Sequence, residues 1–407
     1  MAVAVAGIAA GTTLLAAPAA NAASVGDVAI DKNFADPSIL KSGKTYYAYA
    51  TGGNAKGAFP YATAPSMAGP WTKHGRSMPD KPAWVGPNSD GDYTFWAPSV
   101  FRNEQGTYVM YFTANKKGSS DRCIGAAVSN AAKGPFKALR NPLVCRKGSE
   151  VIDPTEVKRG GQRYVLYKVN DHRGHFQIRI QKVDQRGLHT TGDPKVLIEK
   201  SRQIEAPDAT YHNGKVYFFV SRFSYTNCSY RTDVYRARSL TSGDWHFVKT
   251  LMSTRNTGRC GPGGAEVRTM DGKLWMVFHA WKCAKNARCD AGSKSEKARY
   301  RAMLTSRLGW GPNGPKLIKD KPSQPKPSST RPEPSSTATG TAAPTASDAA
   351  PGGGGGGGEN APAPKAGEKE LPVTGMAVGG LLALGLGAFV VGLVIRATTR
   401  RRRTGTS

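Results

Sequence analysis

The sequence predicts an all-β fold, namely a five-bladed β-propeller of four-stranded antiparallel blades. The first observation is a turn followed by a strand of aromatic and β-branched residues, which recurs five times at intervals of roughly 53 to 63 residues. These copies begin at Gly43, Gly106, Gly161, Gly214 and Gly272. The second observation is that a shorter strand precedes each copy, and four of these five strands start with Asp-Pro or Ala-Pro. Repeats of this length bury a core by packing side by side.

The N-terminus predicts an exported protein. Residues 1–22 are small and apolar and end in Ala-Asn-Ala, the pattern of a secretory signal peptide and its cleavage site. We therefore assign the propeller to residues 23–318, a domain large enough to bury a core without disulfides.

All 6 cysteines nevertheless lie in the propeller region. An even number of cysteines in an exported chain favours disulfides. A metal site is the weaker interpretation, because no Cys-x-x-Cys or Cys/His ligand spacing occurs. Proximity in sequence favours the pairs Cys123 with Cys145, Cys228 with Cys260, and Cys283 with Cys289.

The region after the propeller predicts a tether and an anchor. Residues 319–370 are rich in Pro, Ser, Thr and Gly and cannot bury a core, so we expect a disordered linker. The sequence LPVTG at residues 371–375 precedes an apolar segment at 376–395 and a basic tail at 396–407. The apolar segment is long enough to cross a bilayer as a helix, with the arginines after it in the cytoplasm, and a plain membrane anchor is one interpretation.

The order of these segments supports a more specific interpretation. LPVTG followed by an apolar helix and a basic tail resembles the LPxTG sorting signal of Gram-positive surface proteins. The resemblance implies that a sortase cleaves between Thr374 and Gly375. Thr374 would then be joined covalently to the peptidoglycan of the cell wall.

The charge of the chain is strongly positive. Lys and Arg number 57 against 29 Asp and Glu, a formal net charge of +28. Such a field attracts polyanions. Nucleic acid is excluded as the expected partner, because the basic residues are scattered, no known nucleic-acid-binding motif is present, and the chain is exported. Acidic polysaccharides or wall polymers fit better, and solubility alone is the simplest alternative.

Three of the five inner-strand starts carry an acid, namely Asp36, Asp153 and Glu205. The first strand of a propeller blade lies nearest the axis, so these side chains are expected to meet at one end of the channel. Two carboxyl groups on either side of a glycosidic bond are the minimum for its hydrolysis. A third carboxylate nearby raises the pKa of the acid by like-charge repulsion.

Four motifs in this order resemble glycoside hydrolase family 43, whose members are five-bladed propellers acting on arabinose- and xylose-containing polysaccharides. They are FADPSI at residues 34–39, YTFWAPSV at 93–100, VIDPT at 151–155 and IEAP at 204–207. The resemblance covers about three quarters of the chain.

The resemblance implies a role for each motif residue. Asp36 is the expected general base, Glu205 the general acid, and Asp153 the residue that keeps Glu205 protonated near neutral pH. Trp96 is expected beside the sugar, with core packing as the alternative. Hydrolysis should invert the anomeric carbon, with the carboxyl groups of Asp36 and Glu205 about 6.5 to 9.5 Å apart. The bland alternative for each acid is the capping of a turn before proline.

A histidine in the channel is a further feature that the resemblance implies. His279 is the candidate, and together with waters it can hold Ca²⁺ or another ion; the alternative is a satisfied core histidine. No cofactor is required for the hydrolysis itself. The fifth repeat starts with Gly-Gly-Ala-Glu, so Glu266 is not counted as a fourth catalytic acid.

The combined interpretation is a monomeric, inverting glycosidase anchored to the wall of a Gram-positive bacterium. An α-L-arabinofuranosidase or arabinanase is the first choice and a β-xylosidase the second. The alternative from another class is a non-catalytic carbohydrate-binding or adhesion propeller at the cell surface.

Overall fold

The computed structural model describes residues 26–283, 289 and 299–318. These residues form an all-β fold, in which the only helix is the single turn α1, Thr254–Thr257. The signal peptide, linker, sorting motif, apolar segment and basic tail predicted above all lie outside the described residues. Within the described part of the chain, no helix is long and apolar enough to cross a membrane.

The strands follow one another in five groups, which we number in chain order. Group 1 contains β2 Ser38–Ser42, β3 Thr45–Tyr49, β4 Gly53–Asn54, β5 Gly57–Ala64 and β6 Thr72–Met78. Group 2 contains β7 Phe95–Arg102, β8 Tyr108–Asn115, β9 Arg122–Ser129 and β10 Lys137–Ala138. Group 3 contains β11 Glu150–Arg159, β12 Gln162–Asn170, β13 Phe176–Val183 and β14 Thr190–Lys200. Group 4 contains β15 Ile204–His212, β16 Lys215–Arg222, β17 Arg231–Ala237 and β18 His246–Met252. Group 5 contains β19 Cys260–Met270, β20 Lys273–Cys283, β21 Arg299–Gly311 and β22 Gly314–Ile318, and it is joined by β1 Asp27–Ile30.

Tight turns explain why the first two strands of groups 4 and 5 pair as hairpins. Asn213 and Gly214 connect β15 to β16 with φ of 47° and 71°, and Asp271 and Gly272 connect β19 to β20 with φ of 51° and 67°. Two-residue hairpin turns of this kind need positive φ at both positions, which Asn-Gly and Asp-Gly accept most readily. The turn residues therefore fix the register of the strands that follow.

Within the groups, neighbouring strands pair antiparallel. The described strands make four hydrogen-bonded sheets, because groups 2 and 3 are joined through one parallel pair, Glu150 with Arg122. The N-terminal strand β1 pairs antiparallel with β21 of group 5. The two ends of the domain are thereby held together by backbone hydrogen bonds.

The core lies between the groups rather than within one of them. The buried apolar residues form five clusters among the described residues, each drawn mainly from two neighbouring groups. One cluster joins Tyr49 of group 1 to Phe112 of group 2, and another joins Ala62 of group 1 to Val277 of group 5. Each group therefore buries its faces against the groups before and after it.

At the start of the inner strand of each group, one residue adopts positive φ. These five start residues are Asp36, Ala97, Asp153, Ala206 and Gly264, with φ between 45° and 60°. The pairing register of β7, β11, β15 and β19 shifts at the same place, which marks a β-bulge. Bulges re-aim side chains and are frequent beside active sites.

The backbone N–H of every start residue donates to a side chain of the preceding group. In order, the acceptors are His279 Nδ1, Thr51 Oγ1, Thr113 Oγ1, Asp153 Oδ2 and Ser221 Oγ. The pattern repeats three residues further along the strands. There the N–H groups of Ile39, Val100, Glu156 and Val267 donate to the side chains of Glu266, Ser38, Ser99 and Asp208. These bonds hold the inner strands in equivalent positions, so their start residues meet.

Candidate active site

Asp36 lies at the start of group 1, and two side chains donate hydrogen bonds to its carboxylate. Thr51 donates its hydroxyl to Oδ2 at 2.6 Å, and Arg301 Nη1 lies 3.1 Å from Oδ1. The ring of His279 lies beside the carboxylate, with Nδ1 3.3 Å from Oδ1, and accepts the backbone N–H of Asp36. Burial acts to raise the pKa of Asp36, but the Arg301 charge and the Thr51 hydrogen bond outweigh it and hold the pKa below the usual 3.8. Asp36 is therefore a carboxylate at neutral pH.

Glu205 lies one residue before the bulge of group 4 and is almost fully buried, with 5% of the residue exposed. The ammonium of Lys168 lies 2.8 Å from Oε2, and Tyr230 donates its hydroxyl to Oε1 at 2.8 Å. The side-chain amide of Gln203 also donates to Oε2. Both carboxyl oxygens are thus fixed, and each has at least one donor.

Asp153 is the start residue of group 3 and accepts the backbone N–H of Ala206 on Oδ2 at 2.9 Å. Burial and then the charge of Glu205 raise the pKa of Asp153 from 3.8 to about 7, against the charge of Lys168, which lowers it. Asp153 and Glu205 therefore behave as a pair that retains one proton near neutral pH. The expected protonation of Glu205 near neutral pH stays a prediction, and the charge of Lys168 opposes the raised pKa of Asp153.

The three predicted acids are brought together around Tyr230. Burial raises the pKa of this phenol well above 10, and the negative charges of Glu205, Asp153 and Asp36 raise it further. Asp153 also feels the charge of Asp36 directly. Residues up to about 170 positions apart in sequence thus share one electrostatic environment, as expected from their equivalent places at the strand starts.

Trp96 immediately precedes the start residue of group 2 and is half-buried. The guanidinium of Arg122 stacks on the Trp96 ring at 4.7 Å, and Arg122 pairs with Glu150. Arg122 is in turn close enough to Tyr225 for each to shift the pKa of the other, and Tyr225 feels Asp36 and Glu205. Trp96 is thus connected to the acids through Arg122 and Tyr225, and its contact with the sugar stays a prediction.

His279 is fully buried and accepts the N–H of Asp36 on Nδ1 at 3.2 Å. Burial and the charge of Arg301 lower its pKa to about 3, so the ring is neutral and carries its one proton on Nε2. Nε2 is buried and has no hydrogen-bond partner among the described residues. An N–H group cannot ligate a cation, although it can donate to a water. The arrangement therefore does not fit direct binding of Ca²⁺ by His279 and leaves only a water-mediated role.

The glycines of the fifth group make room for these side chains. A Cβ atom on Gly264 would lie 2.6 Å from His279 Nδ1, and one on Gly263 would lie 2.3 Å from the Tyr230 ring. Such distances are not tolerated, so the missing Asp-Pro or Ala-Pro start has a packing reason. In the described part of the chain, no group of three or more His, Cys, Asp or Glu is arranged to hold a metal ion.

Glu266 takes no part in the acid trio. It accepts the N–H of Ile39 and lies 3.2 Å from Arg268, which also pairs with Asp208 at 3.3 Å. Burial raises the pKa of Glu266 to about 7 and also raises that of Asp208. This buried network belongs to the inner strands, two residues beyond the start residues, and its charges are internally paired.

The cysteines are joined as Cys123 with Cys145, Cys228 with Cys260, and Cys283 with Cys289. The second bridge ties Cys228, which lies between Tyr225 and Tyr230 in the chain, to the first residue of β19. The segment that contains Cys228 is also held by Trp281, whose Nε1 donates to Tyr225 O at 2.7 Å. The sortase residues Thr374 and Gly375 lie outside the described residues.

Sequence reasoning missed five side chains that contact the acids, namely Thr51, Lys168, Gln203, Tyr230 and Arg301. Lys168 gave a signal, because it is a lone charge in the apolar run Tyr164–Val169 of β12. Arg301 and Tyr230 gave none, since nothing in their local sequence distinguishes them from other surface or strand residues.

The chain is similar to known proteins. The family model of glycosyl hydrolases family 43 matches residues 27–314. A probable arabinan endo-1,5-alpha-L-arabinosidase C of Aspergillus flavus is 28% identical over 196 residues, 46% of this chain and 58% of that protein. The chain thus spans less than two thirds of that relative. A protein of the same description from Aspergillus niger is 33% identical over 271 residues, 60% of this chain and 81% of the relative.

A solved structure agrees with the fold. The crystal structure of a thermostable family-43 glycoside hydrolase superimposes with a TM-score of 0.60 at 24% sequence identity. The match covers 75% of this chain and 98% of the other. At that identity the likeness concerns the fold alone.

Proposed function

The chain belongs to glycosyl hydrolases family 43, and on that premise we propose that it is an inverting glycosidase acting on arabinose-containing polysaccharides. The observation that carries the proposal is the contrast between the surroundings of its acids: Arg301 and Thr51 contact Asp36, whereas Asp153 and Glu205 lie buried as a pair of like charges. Asp36 is held as a carboxylate, whereas the Asp153–Glu205 pair retains a proton near neutral pH. One ionised and one protonated carboxyl group are what acid–base hydrolysis of a glycoside needs.

Arabinan is the proposed substrate, because the Aspergillus relatives are described as arabinan endo-1,5-alpha-L-arabinosidases. An α-L-arabinofuranosidase or arabinanase activity therefore comes first, and a β-xylosidase activity of the same family second. A non-catalytic carbohydrate-binding protein is the alternative from another class. It is disfavoured because sugar binding alone does not require a buried acid pair of this kind.

On the water side of the bond, Asp36 is the proposed general base. It takes one proton from a water whose oxygen bonds to the anomeric carbon as the bond to the leaving sugar breaks. Thr51 and Arg301 hold the two oxygens of Asp36, so the carboxylate is oriented before substrate arrives. The configuration at the anomeric carbon is inverted by this single displacement.

On the leaving-group side, Glu205 is the proposed general acid. The proton that the Asp153–Glu205 pair retains passes through Glu205 to the glycosidic oxygen, and both carboxyl groups regain their starting states by exchange with water. Tyr230 fixes the orientation of Glu205 at 2.8 Å. Trp96 is proposed to contact the sugar, and His279 orients Asp36 through its backbone N–H.

We further propose that the five strand groups are five blades around one axis. Three observations support this count: the equivalent hydrogen bonds of the start residues, the five inter-group core clusters, and the pairing of β1 with β21. The eight-stranded sheet then consists of two blades that touch through one parallel pair.

For the ends of the chain we propose export and wall attachment. The support is the sequence alone: the signal-like residues 1–22, the LPVTG motif at 371–375, the apolar segment at 376–395 and the basic tail at 396–407. A sortase and peptidoglycan are the proposed partners, and the wall of a Gram-positive bacterium is the proposed location. The linker at 319–370 would hold the catalytic domain away from the wall.

The test of the activity uses the full-length protein with aryl α-L-arabinofuranoside, aryl β-D-xyloside, and linear and branched arabinan. Asp36→Asn and Glu205→Gln are compared with Asp193→Asn, a control at an exposed carboxylate on the outer strand β14. We expect arabinan hydrolysis that falls by about 10²- to 10⁴-fold or more in the two site variants and is unchanged in the control. Binding of arabinan without any release of sugar by the wild type would contradict catalysis and favour the adhesion alternative.

A further inference from the structure

One position of the repeated hydrogen-bond pattern is occupied by an unexpected residue. In four groups, the second strand or its end supplies an acceptor for the N–H of the next start residue: Thr51, Thr113, Ser221 and His279. The strand register places the equivalent of these residues in group 3 at Lys168, which pairs with Ile152 as Ser221 pairs with Glu205. An ammonium group has three donors and no acceptor, so Lys168 cannot make the bond that the fold uses elsewhere.

The hydrogen bonds around Lys168 differ from those at the equivalent position of the other groups. The N–H of Ala206, which should meet this position, donates instead to Oδ2 of Asp153 at 2.9 Å. The Lys168 ammonium does not bond the N–H of Ala206 and instead lies 2.8 Å from Oε2 of Glu205. The substitution of a hydroxyl by an ammonium thus gives both proposed acid-side carboxyl groups their hydrogen-bond partners.

Lys168 is buried, with 2% of the residue exposed, and its ammonium also lies over the ring of Phe176, 5.7 Å from the ring centroid. Removing an ammonium from water is unfavourable unless a partner compensates. A threonine at this position would complete the backbone pattern without that cost, as Thr51 and Thr113 do. The fold therefore gives no reason for a lysine here, and the reason is sought in its partner Glu205.

We propose that Lys168 is a positioning residue of the hydrolysis, which fixes the Glu205 carboxyl group and sets the pH at which the Asp153–Glu205 pair loses its proton. This inference rests on the proposed function. An opposite charge within about 4 to 6 Å of a carboxyl group lowers its pKa by about 1 to 3 units. Lys168 therefore limits the range over which the acid side stays protonated, and the alkaline limb of the activity profile reports its charge.

Other charged or titratable groups also face the Asp153–Glu205 pair. Asp36, from group 1, raises the pKa of Asp153, as does the charge of Glu205 itself. The hydroxyl of Tyr230 donates to Glu205, and Tyr225 feels the charge of Glu205. Lys168 acts in the opposite direction, because its positive charge lowers the pKa of Asp153 and so opposes the retention of the proton.

The test replaces Lys168 by Met, which keeps the length and removes the charge, and by Thr, the residue found at the equivalent position of two other groups. The pH dependence of kcat/KM is measured for the full-length protein with an aryl α-L-arabinofuranoside. Because loss of the ammonium raises the pKa of the pair, the alkaline limb should move up by about one pH unit or more in both variants. Lys158→Met, at an exposed lysine of β11 paired with Glu104, is the matched control and should leave the limb in place.

A second readout does not depend on catalysis. NMR titration of the carboxyl carbons, in full-length protein isotopically labelled at Asp and Glu, follows the proton of the pair in wild type and variants. The same upward shift is expected there. If the wild type releases no sugar, the proposed function fails while the titration still decides the coupling of Lys168. An unchanged titration and an unchanged limb in a folded Thr or Met variant would overturn the inference and leave Lys168 as a structural ion pair.

Discussion

Arg301 offers a direct test of the base side of the mechanism. Its guanidinium lies 3.1 Å from Asp36 Oδ1, and both side chains are mostly buried, with 16% and 22% exposed. The pair is therefore weakly screened by solvent. Replacing Arg301 by Met should raise the pKa of Asp36 by about 1 to 3 units, equivalent to about 1.4 to 4 kcal/mol of lost preference for the carboxylate.

The direction of the activity change follows from the role of Asp36. A general base works only when ionised, so activity is lost as the pH falls through its pKa. Since the Arg301 charge holds that pKa below 3.8, the acid limb of the wild type should lie at low pH. In Arg301→Met the limb should move up by about 1 to 3 pH units, while the alkaline limb, which belongs to the Asp153–Glu205 pair, should stay within a few tenths of a unit.

The assay is kcat/KM for an aryl α-L-arabinofuranoside over the full pH range in which the protein stays folded. Arg299→Met is the matched control, because Arg299 lies on the same strand as Arg301, stacks on Trp281 at 4.3 Å and donates to Thr226 O at 2.8 Å. A further variant, Arg301→Lys, keeps the positive charge. The pKa of Asp36 should therefore stay low in this variant, and its acid limb should lie close to that of the wild type. If the acid limb of Arg301→Met coincides with that of the wild type, Asp36 is not the group that must be ionised.

Three further predictions concern stereochemistry and stability. Proton NMR during hydrolysis of an α-L-arabinofuranoside should detect the β-anomer of arabinose first, because a single displacement inverts the anomeric carbon; initial release of the α-anomer would refute inversion. Removal of the Cys228–Cys260 bridge, which spans 32 residues, by Cys→Ala substitution at both positions should lower the free energy of unfolding in urea by about 3 to 4 kcal/mol. No change in the urea midpoint would argue against a closed bridge. Arg268→Met should cost about 3 to 5 kcal/mol, because it leaves Asp208 and Glu266 buried without their cation. That loss, followed by thermal unfolding, should be smaller at pH 5 than at pH 8, since the carboxyl groups escape the penalty by protonation, and an equal loss at both pH values would contradict this cause.

The positions of the acids could be predicted from sequence because one local conformation creates all of them. The start residue of each inner strand has positive φ, and in four groups the next residue is proline. An Asp tolerates positive φ better than most residues, and proline both fixes the following backbone and needs no hydrogen-bond partner for its nitrogen. The dipeptides Asp-Pro and Ala-Pro therefore mark the bulges, and the bulges place Asp36, Asp153 and Glu205 together.

The charges that tune those acids could not be predicted in the same way. Arg301 and Asp36 are 265 residues apart, and Lys168 and Glu205 are 37 apart. Each contact depends on which side chain of one strand faces which side chain of the next group, and this follows from packing between groups rather than from any local pattern. The strand register shows that Lys168 occupies the position at which a threonine or serine of other groups accepts the N–H of the next start residue. This comparison requires the pairing of the strands and cannot be made from the sequence alone.

Arg301 and Lys168 act on different members of the acid trio. Arg301 touches Asp36 and lowers the pH at which the base side becomes protonated, whereas Lys168 touches Glu205 and limits the pH up to which the acid side keeps its proton. The range in which both sides are in their working states lies between the lowered pKa of Asp36 and the value of about 7 at Asp153. Removing either cation should move only one edge of that pH range, because Arg301 contacts Asp36 and Lys168 contacts Glu205. A variant that lacks both should therefore shift the whole range to higher pH rather than narrow it, and this joint shift distinguishes two separate cation–carboxylate pairs from a general effect of the strongly basic surface.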